Sequence, residues 1–213
     1  MKFESLLSAF HEHSVFDYNT VSLFFEEENP SSVKTSLYRF MKEGKLESLR
    51  RGLYTFADHY CKKQLSAPQI ANLLYQPSYL SERWALGWYG IIPEKVVVYT
   101  SVSTRPTRSF TNKWGSFTYR TISDSEGKGT ITQVISGEKI KIAEKEQALL
   151  DFWYLEGGNW SPERMESMRF NPEEISIDRL TFLARSFNSK TINKALADWI
   201  MYADSYDEGV HIQ

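Results

Sequence analysis

Between residues 30 and 63 the chain sets eight cations (Lys34, Arg39, Lys42, Lys45, Arg50, Arg51, Lys62 and Lys63) against three acids (Glu43, Glu47 and Asp58), a local excess of +5. Cations at this density, interleaved with Ser31, Ser32, Thr35 and Tyr38, supply the donors that hold phosphates and read base edges. The excess is local. Residues 1–29 carry −5, 82–145 carry +4 and 146–213 carry −6, so the whole chain has a net charge of −2. A near-neutral total argues against indiscriminate coating of a polyanion, whereas charge segmentation fits one local, salt-sensitive anion-binding surface. An ordinary solvated surface also produces charge blocks, so the elements that carry these residues decide between the two.

Other chemistry is thinly represented. The chain contains no G-x-S-x-G, H-E-x-x-H, G-x-x-x-x-G-K-[ST] or G-x-G-x-x-G pattern, the signatures of common hydrolase and nucleotide sites. Gly127-Lys128-Gly129 reads as a hairpin turn. His11 and His13, two residues apart, point to opposite sides of a helix and do not pair as metal ligands. Cys61 is the single cysteine, so no internal disulfide forms, and it has no base beside it to activate the thiol. Asp124-Ser125-Glu126-Gly127-Lys128 contains a Glu-x-Lys element of the kind a metal-dependent nuclease uses with a preceding carboxylate. Asp151, inside an apolar helix, reads as a cap or as half of a buried ion pair. Neither catalysis nor a cofactor is expected.

At 213 residues, 41% hydrophobic and 15% aromatic, the chain builds one large or two small globular domains. Its apolar runs fall far short of the ~20 residues of a membrane span. Met1-Lys2-Phe3-Glu4 opens without a secretory apolar segment, so the expected location is the cytoplasm.

The elements that position the cations follow from periodicity. Phe3, Leu6, Leu7 and Phe10 have amphipathic-helix spacing. A short second helix, capped by Asp17 or Asn19, carries Val21, Phe24 and Phe25 on one face. Asn29-Pro30 is a cap followed by proline at the first helical position, which opens a third helix ending near Gly44. At 100° per residue, Val33, Leu37, Phe40 and Met41 form its buried stripe, and the opposite face gathers Ser31, Ser32, Thr35, Tyr38, Arg39 and Lys42 without an acid. Leu46 and Leu49 then lead to a tight turn at Arg50-Arg51-Gly52, after which Leu53, Tyr54 and Phe56 resume a strand. Three helices and a basic hairpin is the order of a winged helix-turn-helix. In that fold the third helix enters the major groove and the hairpin lies on the neighbouring backbone. The DNA-binding residues expected on this basis are Ser31, Ser32, Lys34, Thr35, Tyr38, Arg39, Lys42, Arg50 and Arg51.

Residues 62–66 read as a linker, dividing a domain over 1–63 from one over 64–213. The second region mixes helices with strands at 96–100, 115–122 and 131–135, and closes with helices, one starting at Asn171-Pro172-Glu173-Glu174. Arg105, Arg108 and Lys113 fall in a loop rich in Ser and Thr, where they would extend the phosphate surface, meet an acidic partner, or simply be solvated. The fold class expected is α+β: a winged helix-turn-helix followed by a mixed α/β domain with a helical C-terminal part.

A set of short motifs in one order adds a resemblance. Arg51-Gly52-Leu53-Tyr54, Tyr79-Leu80-Ser81 leading to Ala85-Leu86 and Gly90-Ile91-Ile92, the strand at 96–100, Gly115-Ser116-Phe117-Thr118-Tyr119, and Ala143-Glu144-Lys145-Glu146-Gln147-Ala148-Leu149-Leu150-Asp151 resemble the AbiEi family over roughly residues 15–155. These are antitoxins of abortive-infection type IV toxin–antitoxin systems. The resemblance implies a winged helix that binds double-stranded DNA at its own promoter and represses its operon. It also implies a C-terminal domain that opposes a nucleotidyltransferase-like toxin encoded beside it; the stretch after Tyr154 matches no motif of the family. Two other readings accompany it: a regulator whose second domain senses a small molecule or dimerises, and a metal-dependent nuclease. Oligomeric state is not written in the chain.

Overall fold

The structure, a computed structural model, describes residues 1–62, 64–122 and 128–210, with side chains described through residue 206. Helix makes up 48% and strand 22% of the chain, which is therefore mixed α+β. It divides into two compact units, residues 1–70 with 112–114, and residues 71–111 with 115–213.

Unit 1 contains α1 (Phe3–Phe10), β1 (Phe16–Asp17), α2 (Tyr18–Phe24), α3 (Pro30–Lys42), β2 (Leu46–Arg50) and β3 (Leu53–Phe56), followed by a short 3-10 turn. The strands form one antiparallel sheet in the order β1-β3-β2. Local signals set these boundaries. The Asp17 carboxylate accepts from the backbone N–H groups of Asn19 (2.8 Å) and Thr20 (3.0 Å), capping α2. Asn29 accepts from Ser31 N at 2.9 Å, and Pro30 occupies the first helical turn of α3, where its missing N–H costs nothing. Gly52 turns the β2–β3 hairpin with φ +78°, a conformation that favours glycine. Phe3, Leu6, Phe10, Val33, Leu37, Phe40, Tyr54 and Phe56 share one buried cluster, and Phe3 meets Phe40 edge to face at 5.3 Å. The buried stripe of α3 differs from expectation at one edge. Ser36 is buried beside Val33, Leu37 and Phe40, whereas Met41 is half-buried. At 60° from Val33, Ser36 lies inside the buried arc, and its small side chain lets the helix approach closely. In α2 only Val21 is fully buried, and Phe24 is 60% exposed.

In unit 2 and at its edge lie α4 (Ala67–Leu74), β4 (Ser78–Leu80), α5 (Glu82–Trp88), β5 (Val98–Ser103), β6 (Arg108–Asn112), β7 (Gly115–Thr121), β8 (Thr130–Ile135), β9 (Glu138–Ala143), α6 (Lys145–Glu156), α7 (Pro162–Ser167), α8 (Ile177–Ala184) and α9 (Lys190–Val210). The six-stranded sheet runs β6-β7-β5-β4-β9-β8. Its pairs β5–β7 and β4–β9 are parallel, and β4–β5 and β8–β9 antiparallel. In helix α6 residues 146–153 are buried without a break.

Three expectations are corrected in this unit. The strand expected at 96–100 begins at Val98, and Val97 is 73% exposed; a β-branched run marks extended propensity but not which residues find a ladder partner. The Ser/Thr-rich loop around Arg108 contains a strand, β6, whose one apolar residue, Phe110, is too little to show an alternation. The start signal at Asn171-Pro172 caps only a 3-10 turn; Ile175 is extended, and α8 starts at Ile177, where Ser176 accepts from Arg179 N. Gly127 of the expected glycine turn, and Asp124, Ser125 and Glu126 of the Glu-x-Lys element, lie outside the described residues.

Candidate nucleic-acid interface

Helix α3 presents Ser31, Ser32, Lys34, Thr35, Tyr38, Arg39 and Lys42 to solvent, every one of them exposed. Their common exposure follows from the burial of Val33, Ser36, Leu37 and Phe40 on the other side. Tyr38 is 57% exposed and Lys42 Nζ sits 5.5 Å from its ring centroid, a cation–π contact. At the start of the helix the hydroxyls are engaged locally: Ser31 Oγ donates to Asn29 Oδ1 at 2.6 Å, and Thr35 Oγ1 to the Ser31 carbonyl at 2.9 Å. Both oxygens retain acceptor capacity, and hydroxyl rotation frees their hydrogens for an incoming phosphate. Met1, Ser31, Ser32, Thr35, Ser36 and Arg39 line a cleft of about 390 Å³ along this face. Ser36, which the periodicity argument names on neither face, lines the cleft from the buried side of the helix.

Arg39 is not isolated from acid, contrary to expectation. Glu43, just past the helix end, reaches Arg39 Nε at 3.7 Å and Lys45 Nζ at 2.8 Å. Its bond from Lys45 holds the Glu43 carboxyl below its ordinary value against a small burial cost. Arg39 Nη2 also donates to the Met1 carbonyl at 3.5 Å. The guanidinium is thus oriented across the cleft, and 57% of the side chain remains exposed. Lys62 is bonded by Glu12. Among the described residues, Lys34, Lys42 and Arg51 have no carboxylate partner, so they carry the uncompensated charge of the block.

The hairpin brings Arg50 and Arg51 to one turn but gives them different settings. Arg51 is exposed. Arg50 is half-buried, and its Nη1 donates to the Arg51 carbonyl at 3.1 Å. Burial opposes ionisation of Asp17, yet bonds from Thr20 and Asn19 and the nearby charge of Arg50 hold its carboxyl below the usual range. Arg50 therefore also stiffens the hairpin, while Arg51 is the fully presented cation.

Lys113 has acidic partners within its own unit. It is bonded by Glu47 and lies 3.5 Å from Asp58 Oδ1, all within unit 1. Against the cost of desolvation, Glu47 and then Asp58 hold its pKa above the ordinary lysine value. Its side chain is 42% exposed, and its charge is partly answered inside the unit. Arg105 and Arg108 are exposed in unit 2.

Sequence reasoning assigned Asp151 a cap or an ionic partner, and the structure gives it neither. Asp151 is fully buried and accepts from Tyr79 Oη (3.0 Å), Ser81 Oγ (2.6 Å) and Gln147 Nε2 (2.7 Å), all neutral donors. Burial pushes its carboxyl up to about 6, with these three bonds opposing. Beside it Glu82 is 2% exposed at φ +53°, paired through Oε2 with Arg120 at 2.9 Å, while Oε1 has no partner among the described residues. Burial raises Glu82 to about 7, against the pull of Arg120 and with a further push from Asp151 and Glu156. The Tyr79-Leu80-Ser81 motif and the end of the Glu144-to-Asp151 motif meet here, a juxtaposition no spacing in the sequence reveals. Burial also raises the Cys61 thiol, which donates to the Phe56 carbonyl at 3.1 Å. Among the described residues no group of three or more His, Cys, Asp or Glu is placed to hold a metal ion, and no helix is long and apolar enough to cross a membrane. Compared with known proteins, the chain matches no protein-family model and no curated protein.

Proposed function

We propose that the protein is a sequence-specific DNA-binding transcriptional repressor whose unit 1 acts as a winged helix-turn-helix. The observation that carries the reading is the solvent face of α3, where seven hydroxyl, aromatic and basic side chains are exposed together, followed by a hairpin turned at Arg51. Helix α3 then lies in the major groove, with Ser31, Ser32, Thr35, Tyr38 and Arg39 toward base edges and Lys34, Lys42, Arg50 and Arg51 toward phosphates. The motif order shared with the AbiEi antitoxins supports an autoregulatory role at the protein's own promoter and unit 2 as the part that opposes a nucleotidyltransferase-like toxin.

The test is binding to a duplex carrying the chain's own promoter, titrated with salt. Arg51→Ala weakens binding to every sequence and lowers the slope of log affinity against log salt by about 0.9, one phosphate's share. Arg39→Ala also relaxes base preference, at about 1–3 kcal/mol for a lost base contact. Promoter binding that survives both substitutions together unchanged overturns the assignment. Rescue of bacterial growth from the neighbouring gene's product by the full chain, retained in Arg51→Ala, tests the antitoxin half separately.

A further inference from the structure

We infer that the segment around Arg105 and Arg108 in unit 2 is a second phosphodiester-binding site, one that takes the sugar–phosphate backbone of a nucleic acid without reading its bases.

Arg105 is held in place by everything except a carboxylate. Its guanidinium stacks 4.3 Å from the Tyr75 ring centroid and donates through Nη1 to the Gln76 carbonyl at 2.9 Å. Its backbone is fixed as well: Arg105 N donates to Ser103 Oγ at 3.1 Å, and the Arg105 carbonyl accepts from Thr121 Oγ1 at 2.8 Å. Tyr75 is itself pinned, donating from Oη to the Pro106 carbonyl at 2.9 Å and packing on Tyr119 at 5.2 Å. Arg108, the first residue of the edge strand β6, places its guanidinium 6.0 Å from the same ring. Neither guanidinium has a carboxylate within 4 Å among the described residues. An ordered guanidinium fork binds carboxylate or phosphate bidentately, with geometric specificity as well as energy. Among the described residues Tyr75, Gln76 and the backbone orient these guanidiniums and no carboxylate neutralises them, so an incoming anion meets forks that are already ordered.

The chemistry of the rim favours phosphate over an acidic peptide. Thr104, Thr107 and Ser109 are exposed beside the two arginines, and Thr107 Oγ1 lies 3.1 Å from Thr121 Oγ1. Hydroxyls alternating with guanidinium forks match the several oxygens of successive phosphodiesters. The aromatic ring is unavailable to a base: Tyr75 is only 6% exposed and is covered by Arg105. Contact is therefore with the backbone alone and insensitive to sequence.

The experiment measures binding of the full chain to a random-sequence duplex by fluorescence anisotropy across a salt series. The Arg105→Ala/Arg108→Ala variant is expected to lower the slope of log affinity against log salt by about 1.8, two phosphates at about 0.9 each. Arg105→Lys/Arg108→Lys, which keeps the charges and loses the forks, is expected to keep the wild-type slope and to bind more weakly at every salt concentration. An unaltered slope in the double alanine variant overturns the inference, and loss of binding to a poly-glutamate peptide instead would identify an acidic protein as the partner and equally overturn it. Arg108→Glu, on the exposed edge, gives the same reading if the double variant unfolds. A parallel Lys42→Ala/Arg51→Ala protein separates this site from the proposed function: if that pair leaves the slope unchanged while Arg105→Ala/Arg108→Ala lowers it, the unit 1 reading fails and the unit 2 site stands. The opposite pattern removes the unit 2 site alone.

Discussion

Raising the pH from 5 to 8 should destabilise unit 2, and Glu82→Gln should remove most of that loss. Glu82 is 2% exposed and its carboxyl is pushed by burial to about 7 from an ordinary 4.5. A carboxyl that holds its proton more tightly when folded contributes stability that is fully present below the unfolded value and disappears as the pH rises through the folded one. Between pH 5 and 8 the two protonation curves diverge by about 2.5 kcal/mol for this group, and Asp151, raised to about 6, adds about 1.4. Carboxyls held below their ordinary values, such as Glu43 and Asp17, work in the opposite direction but complete their change at lower pH. Urea unfolding followed by tryptophan fluorescence isolates the unit in a Trp114→Phe background, because Trp84, Trp88, Trp153, Trp160 and Trp199 belong to it and Trp114 alone to unit 1. Wild type should lose about 4 kcal/mol across the range and Glu82→Gln about 1–2. Equal losses in the two proteins, or a wild type more stable at pH 8, would refute the argument that burial governs this carboxyl.

Three further outcomes are expected. Asp151→Leu strands the Tyr79, Ser81 and Gln147 donors in the core and should cost about 3 kcal/mol or more, whereas Asp151→Asn, which keeps acceptor capacity, should cost much less by the same unfolding assay. Lys113→Met removes a cation already bonded by Glu47, so duplex affinity and its salt slope should stay at wild-type values while unit 1 loses at most about 1 kcal/mol. Gly52→Ala meets no atom within 4 Å but must adopt φ +78°; thermal unfolding should show a loss of about 1 kcal/mol from backbone strain alone.

What could be read in the chain before folding was whatever local chemistry settles. Asn29-Pro30 and Gly44 delimit α3 because capping, proline at the first turn and a left-handed glycine act over a few residues. The exposure of Ser31, Thr35, Tyr38, Arg39 and Lys42 followed from the 100° step, since a helix buries one stripe and must expose the other. The β2–β3 turn at Arg51-Gly52 was legible for the same local reason. Strand β6 escaped because an edge strand with Phe110 as its one apolar residue has no alternation to detect, and 96–100 misplaced its strand because β-branched residues report propensity and not pairing.

Charge neutralisation was legible only where it is local, as in the i,i+4 pair of Arg39 with Glu43. The excess of +5 over residues 30–63 was countable, but that Glu12 takes Lys62 and that Glu47 pairs with Lys113 from 66 residues away depends on which side chains folding brings within 4 Å. The same holds for Arg105, whose hold on Tyr75 and Gln76 joins residues about 30 apart, and for Asp151, whose donors Tyr79 and Ser81 lie 72 and 70 residues away. Composition and periodicity determine which groups a surface contains. Only the tertiary structure decides which of their charges are already answered and which remain to meet a partner, because electrostatic pairing is a matter of distance in space.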